Sequence, residues 1–181
     1  MRWTDVFADL EAQAAAGAAL ELDGEVAERT RIEVGRVQLV DRLRGSVGRP
    51  VSLRTAGAGP SSGRLDQVGP DWLLLAEAAG AELLVPLRSL VSVAGLIRPA
   101  VPVPRGAVQL GLRSVLRGIV RDRAPVRAVL LDGTPVDGTP DRVGADYLEI
   151  AEHAAGRPRR PGAVLSVRTL PLDGLGALRR W

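Results

Sequence analysis

The sequence predicts a mainly β protein, two small and strongly bent five-strand barrels in tandem, each preceded by an α-helix. Three observations predict it. First, displacing the chain by seventy-five residues superimposes Gly63 on Gly138, Asp66 on Asp141, Val68 and Gly69 on Val143 and Gly144, and Asp71 on Asp146. The same register superimposes Leu73 on Leu148, Ala76 and Glu77 on Ala151 and Glu152, Pro86 on Pro161, and Leu90 on Leu165. So many identities in one ungapped register mark a tandem duplication. Second, the hydrophobic texture of each copy passes from helical spacing to short alternating runs. Third, a proline-rich stretch, RPAVPVPRG, separates the copies and reads as an extended connector.

In chain order, Thr4 can cap a helix carrying Trp3, Phe7, Leu10 and Ala14 on one face, with Asp5 favoured in its first turn by the helix dipole. Gly17 and Gly24 weaken the helical pattern beyond Ala14. Ile32, Arg36, Leu39, Leu43 and Val47 then form a second stripe, a helix that should end near Gly45 or Gly48. Strands are expected at 51–53, 64–68, 72–76, 83–85 and 90–94, with the stretch TAGAGPSSG between the first two a loop by composition. Gly69, Pro70 and Asp71 make a tight turn. Five short strands on tight turns favour a bent barrel over an open sheet.

In the second copy Val108, Leu112, Val115 and Ile119 recur at helical spacing. Strands are expected again at 126–131, 135–143, 146–152 and 163–169, with an Asp132-Gly133 turn closing the first hairpin and the loop GRPRRPG before the last strand. The closing DGLGALRRW has too little pattern to place. The organisation is therefore an acidic helical segment over 1–24, helix and barrel over 25–97, a linker over 98–106, helix and barrel over 107–172, and a tail over 173–181. Each copy alone would bury little more than ~60% of its unfolded surface, so the copies should lean on each other or on a partner.

A helix followed by five short strands, with GRLDQV and its copy GTPDRV and a closing VPLRSLVSV, resembles the Sm-like fold, including its bacterial Hfq branch. The resemblance covers roughly residues 25–97 and 107–172 and implies RNA binding and assembly through barrel edge strands. The residues of the family's RNA pocket are not carried over. Gly69 and Gly144 stand where the family has Asp, and Leu73 and Leu148 where Asn often follows. Of the second signature only Arg88 remains, its counterpart falling near Ala163. The whole chain also resembles actinobacterial proteins labelled as Fis-type regulators, although no helix-turn-helix is legible in it.

Composition narrows the function classes. With 46% hydrophobic and 25% charged residues the chain is globular in type. It has no apolar run long enough for a membrane helix and no basic, apolar leader, so a cytoplasmic protein is expected. With Cys 0, thiol chemistry and disulfides are excluded. All 24 basic residues are arginine, as a GC-rich genome would produce. Charge is uneven: residues 1–35 hold eight acids against three arginines, whereas 99–181 hold thirteen arginines against eight acids. Head and body should therefore face each other or different partners.

An enzyme is not expected, and neither cofactor nor metal is implied. The one imidazole, His153, reads as a solvated loop residue. The acid pairs Asp66 with Asp71 and Asp141 with Asp146 could serve as general acid and base, but Asp71 and Asp146 occupy the turns before a strand, where Asp is favoured for local hydrogen bonding. What remains is arginine. Arg113, Arg117 and Arg121 fall four apart on the second helix, Arg123 and Arg127 lie just beyond, and Arg157, Arg159 and Arg160 sit in the GRPRRPG loop. With Arg88 these are the candidate contacts to an RNA or DNA backbone. Trp72 and Tyr147, at equivalent positions, are either stacking platforms or wedges in the barrel. The expected function is nucleic-acid binding, with RNA favoured. The alternative is a protein-interaction scaffold, a homo-oligomer or hetero-assembly, using edge strands and the N-terminal helix.

Overall fold

The computed structural model describes residues 34–97, 100–104, 106–155, 162 and 164–181. The expected helix over 1–24, Ile32, and Arg157, Arg159 and Arg160 lie outside the described residues. The chain divides into two compact units, Met1–Gln38 and Leu39–Trp181. In the first, the Val37 N–H donates to the Val34 carbonyl at 3.2 Å.

Every described strand lies in the second unit. Its first half runs α1 (Leu39–Gly45), β1 (Pro50–Thr55), β2 (Gly59–Val68), β3 (Trp72–Ala76), β4 (Glu82–Pro86) and β5 (Leu90–Ala94). Its second half runs α2 (Leu112–Asp122), β6 (Val126–Leu130), β7 (Pro135–Val143), β8 (Tyr147–Glu152), β9 (Ser166–Pro171) and β10 (Leu175–Arg180). The fold is mainly β, as the alternating texture predicts. Two separate closed barrels are not what forms: the strands make one ten-stranded sheet, ordered β5-β1-β2-β3-β4-β10-β6-β7-β8-β9, with β5 and β9 outermost. The sheet is antiparallel throughout.

The halves join where β4 pairs with β10, in the register Leu84 with Leu178, Leu83 with Arg179 and Glu82 with Arg180. The expected C-terminal tail is thus a central strand. Its burial explains the texture of the middle of the sheet. Leu73, Leu75, Leu83, Val85 and Ala177 point into one core with Leu43, Val51, Leu53 and Leu65. Trp72, Leu84, Leu175 and Leu178 point into the other, with Leu116, Val136, Leu148 and Ile150. Strands covered on both faces must be apolar at successive positions rather than at alternate ones, which is why WLLLA and ELLVP are continuous apolar runs.

The duplication is visible contact by contact. A side chain added at Gly63 would overlap the Ala76 carbonyl, and one at Gly138 the Ala151 carbonyl. Gly69 lies under the Trp72 ring and Gly144 under the Tyr147 ring. The Gly69 N–H donates to Trp72 O and the Gly144 N–H to Tyr147 O, both at 2.9 Å. The β2–β3 register slips at Asp66 and the β7–β8 register at Asp141. These bulges, with the glycines three residues earlier, bend the long second strand of each half. Asp66, paired with Arg64 at 2.7 Å, and Asp141 therefore mark bulges.

The seventy-five-residue register ends after Glu152. The helical turn Leu87–Ser89 precedes β5 and the turn Leu172–Gly174 precedes β10, so the last two strands correspond at an offset of eighty-five. Trp72 pairs with Pro86, and Tyr147 with Pro171. Pro86 therefore answers Pro171, not Pro161, and Leu90 answers Leu175, not Leu165. Likewise the Ala56 N–H bonds Ser89 O at 2.8 Å and the Leu131 N–H bonds Gly174 O at 2.9 Å. The ten extra residues extend the β8–β9 connection, around GRPRRPG.

The stretch TAGAGPSSG is not a loop. Only the residues between Thr55 and Gly59 turn, and from Gly59 the chain is already in β2, paired with β1. Its small residues suit that place: Ser61 is buried, and Ser52 and Ser62 share a hydroxyl hydrogen bond of 2.9 Å. The matching β6–β7 hairpin turns at Asp132-Gly133 as expected. The Thr134 N–H donates to the Asp132 carboxylate at 2.8 Å and holds its pKa below the ordinary range.

Candidate nucleic-acid interface

α2 forms because its apolar residues share one face. Leu112 and Leu116 are buried and Val115, Ile119 and Val120 pack against the second core. Val108, placed on this stripe by spacing, precedes the helix and is exposed. The N-terminus is capped from another element: Gly111 has no side chain, and the Asp71 carboxylate accepts the Leu112 N–H at 2.8 Å. This acid at the positive end of the helix dipole gives Asp71 a role beyond its own turn. Beside it, the Trp72 indole N–H donates to Leu110 O at 2.7 Å. The helix ends at Arg123, whose backbone is left-handed at φ 52° and whose N–H bonds Ile119 O.

Asp71 and Trp72 thus fasten α2 to the turn of the first half. The Asp71→Ala variant should lose about 1 kcal/mol, the usual cost of a missing cap. Trp72→Phe should lose a similar ~1 kcal/mol by dropping one hydrogen bond while keeping most of the ring. Urea midpoints at unchanged slope would measure both.

The outward face carries arginine. Arg113, Arg117 and Arg121 are exposed and successive turns align them along the helix, with exposed Arg123 at its end. The Arg113 guanidinium donates to Ala145 O at 3.2 Å. Among the described residues no acid pairs with Arg113, Arg117, Arg121 or Arg123. Elsewhere pairing is common: Arg44 with Asp41, Arg142 with Glu149, Arg168 with Glu152, and Arg179 with Glu77. Asp122, adjacent to the ridge in sequence, instead pairs with Arg180 at 2.7 Å.

Arg88 and Arg127 do not join this ridge. Arg88 lies in the turn before β5 and reaches Asp173, its own counterpart in the second half, at 3.6 Å. Arg127, on β6, makes two hydrogen bonds to Asp137, at 2.8 and 2.9 Å, which raise its pKa further. Its guanidinium also lies 5.6 Å from the centroid of the Trp181 ring, within cation–π range.

The aromatic positions separate. Trp72 is a buried wedge, its ring packed over Gly69, and it offers no face to a base. Tyr147 is half-buried over Gly144. Trp181 is 56% exposed, and no sequence signal marks it, because DGLGALRRW has no readable pattern. The Arg180–Asp122 pair ties its strand to the end of α2 that bears Arg121 and Arg123.

His153 is not a solvated loop residue. It is buried, its Nε2 lies 2.8 Å from Thr139 Oγ1 and its Nδ1 lies 3.1 Å from Ala154 O. A carbonyl can only accept, so Nδ1 carries hydrogen toward Ala154; in the neutral ring Nε2 then accepts from the Thr139 hydroxyl. Both nitrogens are occupied by structure. Among the described residues no three His, Asp or Glu side chains gather as metal ligands. No protein-family model, no curated protein and no solved structure matches the chain.

Proposed function

We propose that the chain is a non-enzymatic nucleic-acid-binding protein that grips phosphates with the arginine ridge of α2. One contrast carries the reading. Arginines on the sheet are largely matched with carboxylates, whereas Arg113, Arg117 and Arg121 on α2 and Arg123 at its C-cap stand exposed with no acid among the described residues opposite them. Guanidinium groups one helical turn apart offer planar, two-pronged donors to successive phosphate oxygens. Trp181 supplies the exposed aromatic that single strands favour. In each half, a helix leading into five short antiparallel strands supports the Sm-like resemblance, which favours RNA over DNA.

The test is equilibrium binding of the purified chain to a mixed pool of labelled RNA and DNA. Three or four phosphate contacts predict that affinity falls about 20- to 50-fold between ~50 and ~200 mM salt on a single strand. A Trp181→Ala variant should bind about 10-fold more weakly, within the usual worth of one stacked base. Absence of binding at the lower salt would overturn the proposal.

A further inference from the structure

We propose that Asp137 and Arg127 are positioning residues that hold the Trp181 ring as a platform for one unstacked base of the nucleic acid. The inference rests on the nucleic-acid reading above and adds how its aromatic contact is prepared. β6 and β7 place Arg127 directly opposite Asp137. The guanidinium donates from Nε and from one terminal nitrogen to the two carboxylate oxygens, at 2.8 and 2.9 Å. Two parallel bonds fix the plane of the guanidinium as well as its place. β6 and β10 set Arg179 opposite Arg127, but Arg179 is engaged by Glu77 at 2.9 Å, so each arginine keeps its own carboxylate.

Trp181 follows the last residue of β10, and no strand pairing extends to it. It lies instead under Arg127, whose guanidinium carbon is 5.6 Å from the ring centroid. The ring quadrupole attracts the cation, and a cation anchored by Asp137 restrains the ring in turn. The residue is still 56% exposed. With one face taken by protein, the ring remains open for a single stacked base.

The first half shows that the fold does not require this pair. The offset of seventy-five carries Arg127 to Ser52 and Asp137 to Ser62, which face each other in the same register and share the hydroxyl bond of 2.9 Å. The offset of eighty-five carries Trp181 to Leu96, which packs against the first core. Two serines and a leucine turned to the core therefore suffice in one half. The other half holds an ion pair and an exposed tryptophan at those positions, a combination that serves the ring rather than the sheet. A ring already ordered loses less freedom when a base stacks on it. Releasing it should weaken binding about 2- to 10-fold, the usual cost of immobilising one flexible side chain.

The test uses the full chain and two measurements. Arg127→Ser with Asp137→Ser copies the first half, a pair that the fold accepts; Asp137→Asn keeps the size of the side chain and loses its charge. The Trp181 indole N–H, identified among the three tryptophans by its loss in Trp181→Phe, should show a heteronuclear NOE near that of the strands in the parent and a clearly lower one in both variants. Both should bind a labelled single-stranded RNA of mixed sequence about 2- to 10-fold more weakly. The slope against log salt should stay the same, since no phosphate contact is lost. In a Trp181→Ala background the same substitutions should have no further effect. An unchanged indole NOE, a flatter salt slope, or an equal loss without the tryptophan would each overturn the proposal. The NOE needs no nucleic acid, so the positioning is decided apart from the reading it rests on. A Trp181→Ala chain that binds as the parent does would overturn the platform and leave the arginine ridge standing.

Discussion

The Gly57→Ala variant is expected to lose about 2–5 kcal/mol, through left-handed strain of ~1–2 kcal/mol and overpacking of ~1–3 kcal/mol. Gly57 turns the chain between β1 and β2 at φ 79°, and a Cβ there would overlap the Leu130 carbonyl oxygen of the second half. The obstacle is backbone, so no side-chain rotation relieves it. Leu130 is the end of β6 and is paired with Leu175 of β10, so relief would have to come from the junction between the halves. Gly59→Ala is the control: it also has positive φ, at 74°, but nothing lies within 4 Å of its added Cβ. It should show the conformational strain alone, ~1–2 kcal/mol. Denaturant unfolding of both variants separates the two contributions. Equal losses would show that the Gly57–Leu130 contact can yield without cost.

The Arg113→Ala, Arg117→Ala, Arg121→Ala triple variant is expected to weaken nucleic-acid binding roughly 100-fold at low salt, each charge-assisted contact being worth about 1 kcal/mol or more. The salt dependence distinguishes lost phosphate contacts from lost structure. Removing three contacts to a single strand should flatten the slope of log affinity against log salt by about 2. Stability should move by no more than ~0.5 kcal/mol, as for most surface changes, because these side chains are exposed and, among the described residues, only Arg113 makes a side-chain hydrogen bond, to Ala145 O. Arg88→Ala is the contrast, since its partner is Asp173; it should leave affinity and slope nearly unchanged. Unchanged binding by the triple variant would remove the ridge from the function.

Local chemistry is legible in the sequence and distant pairing is not. The strands expected at 72–76, 90–94 and 135–143 coincide with β3, β5 and β7; for β3 the apolar run reflects burial on both faces. Glycines 63, 69, 138 and 144 announce the duplication because each faces a backbone or ring that admits no Cβ. TAGAGPSSG misleads because small residues that elsewhere make loops here admit close strand contact. β10 escapes notice because LGALRR owes its burial to β4 and β6, far from it in the chain. The ridge of α2 is visible as a four-residue spacing. Its lack of acid partners among the described residues is not, since Asp122 is adjacent in sequence yet turns to Arg180.

The place of β10 also bears on how the molecule comes into being on a ribosome. The first core holds Ala177 among residues otherwise drawn from the first half, and β4 finds its outer neighbour only in Leu178, Arg179 and Arg180. During synthesis the first five strands emerge long before that partner exists. Until β10 leaves the exit tunnel, the nascent chain presents Leu83 and Leu84 on an uncovered strand, the kind of surface that chaperones hold. Completion of the first half therefore waits for β10, and the two copies, though made in succession, reach the native state together.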